Sequence, residues 1–246
     1  MERARVLVAP AMNVHMYRNA ATQANLDALA SKGIVVIPPS SGMLACGDVG
    51  EGKLPSVDEL VDWALRGSVR VKDLAGMRIV VSAGPTREAL DPVRFLTNRS
   101  TGRMGYAIAR QAMLRGADVT LVSGPVDIPA PRFAEVVGVE SAADMFEAVT
   151  SRASEADAVI MAAAVADYRP VTVAATKLKK QAPSGVEHSA EPAMSIELTT
   201  NPDILAGLVS EPPRPGQIVV GFAAETGDEN GDVLFHGRAK ARRKGA

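Results

Sequence analysis

The sequence has few residues of the kinds that define several protein classes. It contains one cysteine among 246 residues, which excludes an internal disulfide framework and fits a reducing compartment. No apolar run reaches the roughly 20 residues that a membrane-spanning helix needs. The formal net charge of −1 gives no bulk attraction to nucleic acid or to an anionic membrane. We therefore expect a cytoplasmic protein with neither of these partners.

Aromatic residues are also scarce, at 4% of the chain, whereas hydrophobic residues make up 47%. From residue 78 onward, short β-branched runs alternate with helical patterns. Strands are predicted at 79–82, 118–122, 158–161 and 217–221, and helices at 105–114 and 142–153. This alternation predicts an α/β fold with a doubly wound, mostly parallel, Rossmann-like sheet.

The first 70 residues contain a separate and smaller pattern. A strand at 5–9, a helix at 22–31 and a strand at 34–37 form one βαβ unit, which cannot bury both faces of its sheet alone. Residues 40–52 are interpreted as a long glycine-rich loop, and Ser56 as the N-cap of a helix at 56–65. A linker at 67–76 places the domain boundary near residue 70. We expect the first part to be the end of a domain whose beginning is absent.

Two common phosphate-binding motifs are missing. The first strand–helix turn has Gly84 but no G-x-G-x-x-G pattern, which disfavours a nicotinamide dehydrogenase. The P-loop pattern G-x-x-x-x-G-K-[ST] does not occur either. A nucleotide site therefore needs another basis.

That basis is a set of loops at 98–102, 162–167 and 222–226, each following a predicted strand. In a parallel sheet these loops meet at one edge, where ligands gather. The run 98–105 has small, hydroxyl and amide side chains before a helix, which suits an anion. The same residue types are ordinary helix caps, so a capped loop without a ligand remains an alternative. Clustered lysines at 177–180 are similarly either phosphate ligands or a solvated charge run.

Several motifs together resemble one family, the bifunctional phosphopantothenoylcysteine decarboxylase / phosphopantothenate–cysteine ligase of coenzyme A biosynthesis. PAMN at 10–13 and ACGDVGEG at 45–52 resemble late decarboxylase motifs. Seven further motifs resemble those of the ligase: GPTRE at 84–88, LDPVR at 90–94, NRSTG at 98–102, AAAVADY at 162–168, KLKK at 177–180, NPDI at 201–204 and GFAAET at 221–226. The resemblance implies that 1–70 is the C-terminal part of a flavodoxin-like decarboxylase domain. It also implies that 71–246 is a ligase domain cut short at its C-terminus.

The resemblance implies a ligation that uses CTP and Mg²⁺. CTP activates the carboxylate of phosphopantothenate as an acyl-cytidylate, and the amine of cysteine then displaces CMP. Lys177 would serve the first step, and Asn98 would contact the acyl group in the second. The implied nucleotide-binding residues are Ala162, Ala163, Asp167, Lys177, Asn201, Pro202, Asp203, Ile204, Phe222, Lys240 and Lys244. The metal ligands are left unassigned.

For the decarboxylase, the resemblance implies that Asn13 contacts the substrate near FMN and that Cys46 returns a proton to the intermediate. The family's flavin-binding N-terminal part has no counterpart here, so we expect this chain neither to hold FMN nor to decarboxylate alone. A homo-oligomer is implied for the full-length protein. A catalytically incomplete fragment that only binds nucleotide or a partner chain is the alternative.

Overall fold

The computed structural model describes residues 4–45, 47–69, 71–179 and 194–245. The chain divides into two compact units, Met1–Asp73 and Leu74–Ala246. Among the described residues, no helix is both long and apolar enough to cross a membrane.

The first unit contains a parallel strand pair followed by a hairpin. In chain order its elements are β1 (Leu7–Val8), α1 (Val14–Tyr17), α2 (Ala20–Ser31), β2 (Val35–Val36), β3 (Ser40–Met43), β4 (Val49–Lys53) and α3 (Val57–Ser68). Strand β1 pairs in parallel with β2 across α2, so the predicted βαβ unit is present. Ser56 caps α3 by accepting a hydrogen bond from the Glu59 amide, as predicted.

The second unit alternates strands and helices. In chain order its elements are β5 (Arg78–Ala83), β6 (Arg87–Ala89), β7 (Phe95–Thr97), α4 (Arg103–Leu114), β8 (Asp118–Ser123), β9 (Glu135–Gly138), α5 (Ala142–Ala153), β10 (Ala158–Met161), β11 (Tyr168–Pro170), β12 (Leu198–Thr200), α6 (Ile204–Ser210), β13 (Ile218–Gly221) and α7 (Val233–Lys244).

In the described part of this unit, a parallel sheet of five strands has the order β13-β10-β5-β8-β9. The chain starts in the middle at β5, moves outward through β8 and β9, and then returns to place β10 and β13 on the other side. This is the strand order of a doubly wound Rossmann-type sheet, and it confirms the predicted fold class. The direction of winding reverses between β5 and β10.

Helices cover both faces of this sheet, which explains why β5 is buried from Ile79 to Ala83. On one face, Val80, Val122 and Val159 pack with buried residues of α5 and α6, among them Met145, Val149 and Leu208. On the other face lies α4, whose buried residues are Gly105, Ala109, Ala112, Met113 and Leu114. A strand covered on both faces needs a continuous apolar run, as 79–81 supplies.

Several elements differ from the sequence-based expectations. Residues 40–52 were expected to form a loop, but 40–43 and 49–53 pair as the antiparallel hairpin β3–β4. The polar excursion after β5 contains a second hairpin, β6–β7, and β11 pairs with β12. Strand β9 had not been predicted. Helix α3 runs to Ser68, into the expected linker.

Candidate functional site

The candidate site lies where the winding of the sheet reverses, at the carboxyl ends of β5 and β10. In open α/β sheets, ligands bind in the crevice at such a switch point. The two segments that leave these strands are joined by backbone hydrogen bonds, since Ala164 N donates to Gly84 O at 2.8 Å and Thr86 N donates to Ala164 O at 3.4 Å. The turn after β5 and the loop at 162–167, which is one of the three loops expected at this edge, therefore meet there.

Buried hydroxyl groups fix the loop at 162–167. Ser82 and Thr86 are both fully buried. Ser82 Oγ accepts a hydrogen bond from Ala163 N at 3.1 Å, and Thr86 Oγ1 accepts one from Ala166 N at 2.9 Å. Each hydroxyl satisfies a backbone donor that would otherwise be buried without a partner. These contacts hold the backbone of the predicted nucleotide-binding loop in one conformation.

Asn98 also contacts this loop, because the β6–β7 hairpin returns the chain to the carboxyl edge. Its Nδ2 donates to Ala164 O at 3.3 Å and to Val165 O at 3.0 Å. A flipped amide would place Oδ1 against these two carbonyl oxygens, so the orientation of the side chain is determined. With both amide hydrogens directed at carbonyls, the remaining polar atom, Oδ1, is an acceptor. Asn98 is therefore a brace for the loop at 162–167.

The N-terminus of α4 lies close to the same crevice. Its N-cap is Gly102, in the left-handed conformation, and no side chain caps the helix. The expectation that asparagine, serine or threonine caps this helix is therefore wrong, since none of these side chains caps α4. Gly102 fits where a side chain would not, since a Cβ would lie 2.8 Å from Val126 Cγ1 and 3.3 Å from Gly84 N.

The segment 201–204 divides into residues that face the site and residues that build the fold. Asn201 N donates to Asp167 O at 2.8 Å, and its Nδ2 donates to Ala166 O at 2.9 Å. Pro202 is exposed, whereas Ile204 is only 4% exposed and belongs to the core. Asp203 is the N-cap of α6, where its side chain accepts a hydrogen bond from Ala206 N.

Two lysines of α7, Lys240 and Lys244, are paired with carboxylates near this edge. Lys244 Nζ lies 3.0 Å from Asp203 Oδ2, and Lys240 Nζ lies 2.7 Å from Glu225 Oε1. Burial would raise the pKa of Asp203, but the Ala206 amide and Lys244 hold it below its ordinary value. The hydrogen bond from Lys240 lowers the pKa of Glu225 in the same way.

The third loop joins the others through Phe222, which follows β13. Its backbone N donates to Met161 O at 3.2 Å, and the ring is 50% exposed. The side chains of Asp167 and Lys177 are exposed as well. The backbone of Leu178, the residue after Lys177, is bound by Asp91 and Arg94 at the tip of the β6–β7 hairpin.

The first unit has a candidate site of its own, a pocket of about 450 Å³ lined in part by Met12, Asn13, Met43 and Leu44. Asn13 Oδ1 caps α1 by accepting from His15 N at 2.8 Å, and its Nδ2 donates to Asp48 Oδ2 at 2.7 Å. Cys46 lies outside the described residues. The hairpin β3–β4, which the sequence interpretation missed, brings Asp48 to Asn13.

Sequence reasoning also missed three buried polar residues that organise the second unit, namely Thr86, Glu88 and Asp91. Glu88 Oε1 accepts a hydrogen bond from Ala142 N at 2.9 Å and so supports the start of α5. A possible signal was the presence of charged and hydroxyl residues in a segment directly after a buried strand.

The fold and the site together define a Rossmann-type α/β domain with a ligand site at its switch point. Residues 74–246 match the family described as DNA/pantothenate metabolism flavoprotein C-terminal domain, and residues 1–67 match the Flavoprotein family. The chain belongs to the DNA/pantothenate metabolism flavoprotein family. The family resemblance inferred from the motifs is confirmed.

Curated relatives carry the name coenzyme A biosynthesis bifunctional protein CoaBC. The protein of Mycobacterium tuberculosis (strain H37Rv) is 48% identical over 253 residues, covering 99% of this chain and 58% of the relative. The protein of Escherichia coli K12 is 49% identical over 242 residues, covering 98% and 57%. This chain thus spans less than two thirds of their length. A crystal structure of the C-terminal domain of CoaBC has a TM-score of 0.58 and 43% identity, covering 71% of this chain and 76% of that one.

Proposed function

We propose that residues 71–246 act as a phosphopantothenate–cysteine ligase domain that uses CTP. The observation that carries the proposal is the hydrogen-bonded assembly of Asn98, the loop at 162–167 and Asn201 at the switch point. A Rossmann-type switch point suits a nucleotide. The names of the relatives support coenzyme A biosynthesis as the process.

The first step makes a poor electrophile reactive. A carboxylate oxygen of phosphopantothenate attacks the α-phosphorus of CTP and a P–O bond forms, while the bond between the α-phosphorus and the oxygen that bridges it to the β-phosphorus breaks and pyrophosphate leaves. Negative charge accumulates at the phosphate groups during attack, and a positioned lysine stabilises it. The exposed side chain of Lys177 is suited to this role, as are the cations of Lys240 and Lys244 once they exchange carboxylate for phosphate.

In the second step, the amine of cysteine attacks the acyl carbon, a C–N bond forms, and CMP leaves as the C–O bond breaks. Asn98 stands beside the loop that would hold the cytidylate. Because Nδ2 is engaged with Ala164 O and Val165 O, its Oδ1 is suited to accept a hydrogen bond from the incoming amine. We thus assign Asn98 two tasks, to brace the loop and to orient the nucleophile.

Mg²⁺ would neutralise part of the triphosphate charge. Among the described residues, no group of three or more His, Cys, Asp or Glu side chains could hold a metal ion. Magnesium is commonly held by one or two carboxylates together with substrate phosphates and water. The donor set fits an ion that arrives with CTP, with the exposed carboxylate of Asp167 as a protein ligand.

For residues 1–70 we propose the C-terminal part of the decarboxylase. The pocket beside Asn13 is its candidate substrate site, and the Asp48 carboxylate orients the Asn13 amide. FMN, when bound, supplies the redox chemistry of that reaction. The apolar lining of this pocket by Met12, Met43 and Leu44 suits the extended pantothenoyl arm of the substrate.

The ligase proposal is tested by incubating the chain with CTP, phosphopantothenate and Mg²⁺ and measuring pyrophosphate, followed by cysteine-dependent release of CMP. ATP in place of CTP tests the choice of nucleotide. If CTP binds but no pyrophosphate is released, the chain is a nucleotide-binding fragment. If CTP changes neither melting temperature nor heat on titration, the proposed site is wrong.

Asn98→Asp and Asn98→Ala separate the two tasks of this residue. Asn98→Ala removes both the donor and the acceptor, whereas Asn98→Asp removes the donor and keeps an oxygen acceptor. If Asn98 orients the amine, Asn98→Ala therefore accumulates more acyl-cytidylate than Asn98→Asp does. If Asn98 only braces the loop, the affinity for CTP falls, most in Asn98→Asp because a carboxylate then faces the carbonyls of Ala164 and Val165.

A further inference from the structure

The backbone that carries Lys177 is bound by two side chains at the tip of the β6–β7 hairpin. Leu178 N donates to Asp91 Oδ2 at 3.0 Å, and Leu178 O accepts from Arg94 Nη2 at 2.6 Å. Both backbone polar groups of the residue that follows the lysine are therefore fixed. A third contact, from Ala174 N to Leu90 O at 3.0 Å, holds the segment just before the lysine to the same hairpin.

Asp91 divides its two oxygens between the hairpin and this segment. Oδ1 accepts from Val93 N and Arg94 N, both at 2.8 Å, and so shapes the hairpin tip. Oδ2 accepts from Arg94 Nε at 2.9 Å, from Arg94 Nη2 at 2.6 Å and from Leu178 N. The carboxylate has no exposed surface, and the guanidinium side chain is 41% exposed.

The charge state of Asp91 agrees with this geometry. Burial by itself would raise the pKa of the carboxyl group, but the hydrogen bonds from Arg94, Leu178 and Val93 hold the pKa of Asp91 well below its ordinary value. The group is therefore an anion at neutral pH. Charge-assisted hydrogen bonds of this kind are shorter and stronger than neutral ones, and the Arg94 fork adds directional preference.

We propose that Asp91 and Arg94 are positioning residues which fix the peptide of Leu178 and thereby place Lys177 for the first step of the ligation. The inference rests on the role of Lys177 in the proposed function. A lysine has a long flexible stem, and its charge acts only where its Cα allows it to reach. Misplacement of a catalytic group by about 1 Å costs on the order of 100-fold in rate. Neither Asp91 nor Arg94 needs to touch the substrate.

The geometry is tested first without any activity assay, because trypsin cleaves after Lys177, at the peptide bond whose N–H is held by Asp91. Asp91→Asn keeps the shape but places an NH₂ group among hydrogen-bond donors. We expect cleavage at 177–178 to become at least about tenfold faster, since proteolysis follows local opening. Asp27→Asn, an exposed change on α2 of the other unit, is the matched control.

Cleavage after Arg110 within α4 monitors opening of the second unit as a whole. An unchanged cleavage rate at 177–178, or an equal rise in cleavage after Arg110, would show that Asp91 and Arg94 do not fix the Leu178 peptide. Arg94→Lys keeps the positive charge but loses the planar guanidinium with its several donors, so the tryptic cleavage rate at 177–178 should be intermediate.

The functional arm compares half-reactions. Asp91→Asn should slow pyrophosphate release, as Lys177→Gln does, through kcat and with little change in the affinity for CTP. Because both changes act through the same lysine, the double variant should be no slower than Lys177→Gln alone. Additive losses would overturn the positioning role. If the wild-type chain releases no pyrophosphate, the ligase proposal fails. The tryptic cleavage rates alone then decide whether Asp91 and Arg94 fix the Leu178 peptide.

Discussion

A methyl group added at Gly105 tests how closely α4 approaches the sheet. Gly105 is buried in the first turn of α4. A Cβ there would lie 2.6 Å from Ala83 Cβ and 2.8 Å from Ser82 O. Carbon atoms in contact normally stay about 3.5–4.0 Å apart, so roughly 1 Å must be relieved. Both obstacles belong to the end of β5, which cannot move as a flexible side chain can, so we expect α4 to shift outward.

The energetic sign follows from two opposing terms. Replacing glycine by alanine inside a helix stabilises it by about 1 kcal/mol. Overpacking a close contact costs about 1–3 kcal/mol. We therefore expect Gly105→Ala to destabilise the second unit by up to about 2 kcal/mol. Gly207→Ala in α6 is the matched control, because a Cβ at Gly207 meets nothing within 4 Å. It should stabilise the unit instead.

Urea unfolding followed by far-ultraviolet circular dichroism measures both variants, and fluorescence of the single tryptophan, Trp63 in α3, follows the first unit separately. The difference between the two variants isolates the steric term, which should be about 1–3 kcal/mol. At roughly 2–4 °C per kcal/mol, the melting temperatures should differ by about 2–12 °C. Equal stabilisation by Gly105→Ala and Gly207→Ala would refute the close packing of α4 on β5.

Three further outcomes are expected. Thr86→Val leaves the Ala166 amide without its acceptor and should cost about 1–3 kcal/mol in urea unfolding, with faster amide exchange at Ala166, whereas Thr86→Ser should cost less. Lys244→Gln removes an ion pair whose lysine side chain is 19% exposed, so it should cost about 1 kcal/mol of stability and raise the dissociation constant for CTP in calorimetry. Hydrogen bonds from Ser141 lower the folded-state pKa of Asp144. The ionised carboxylate therefore stabilises the fold above its unfolded pKa of about 3.9, and this stabilisation is lost as pH falls through the folded pKa. Asp144→Asn should flatten the dependence of the free energy of unfolding on pH in this acid range.

The parallel sheet was predictable because burial on both faces leaves a clear sequence signal. The apolar run that begins at Ile79, and those at 118–122, 158–161 and 217–221, correspond to strands of the sheet. Helix α5 was also predicted in its full extent, and in the structure a capping box between Ser141 and Asp144 fixes its start. In these elements local pattern and tertiary burial agree.

The missed elements lack that agreement. Strand β9 has only four residues and lies at the edge of the sheet, where most of it is exposed. The antiparallel pairs β6–β7 and β11–β12 consist of three-residue strands, which are too short for an alternation of apolar and polar residues to mark them. In β3–β4 the glycines that indicated a loop are accommodated within a pair that shifts register between Ser40 and Ser41. Tertiary packing decides these segments.

The candidate site shows the same division between what pattern reveals and what packing decides. The motifs at 84–88 and 90–94 carried the ligase resemblance without any assigned role, and their polar residues Thr86, Glu88 and Asp91 are buried, each accepting hydrogen bonds from the backbone of another segment. Asn98 and Lys177, in contrast, are exposed. Substitutions in the first group should therefore alter geometry before they alter chemistry, and their effects on the two half-reactions should depend on which segment each residue holds.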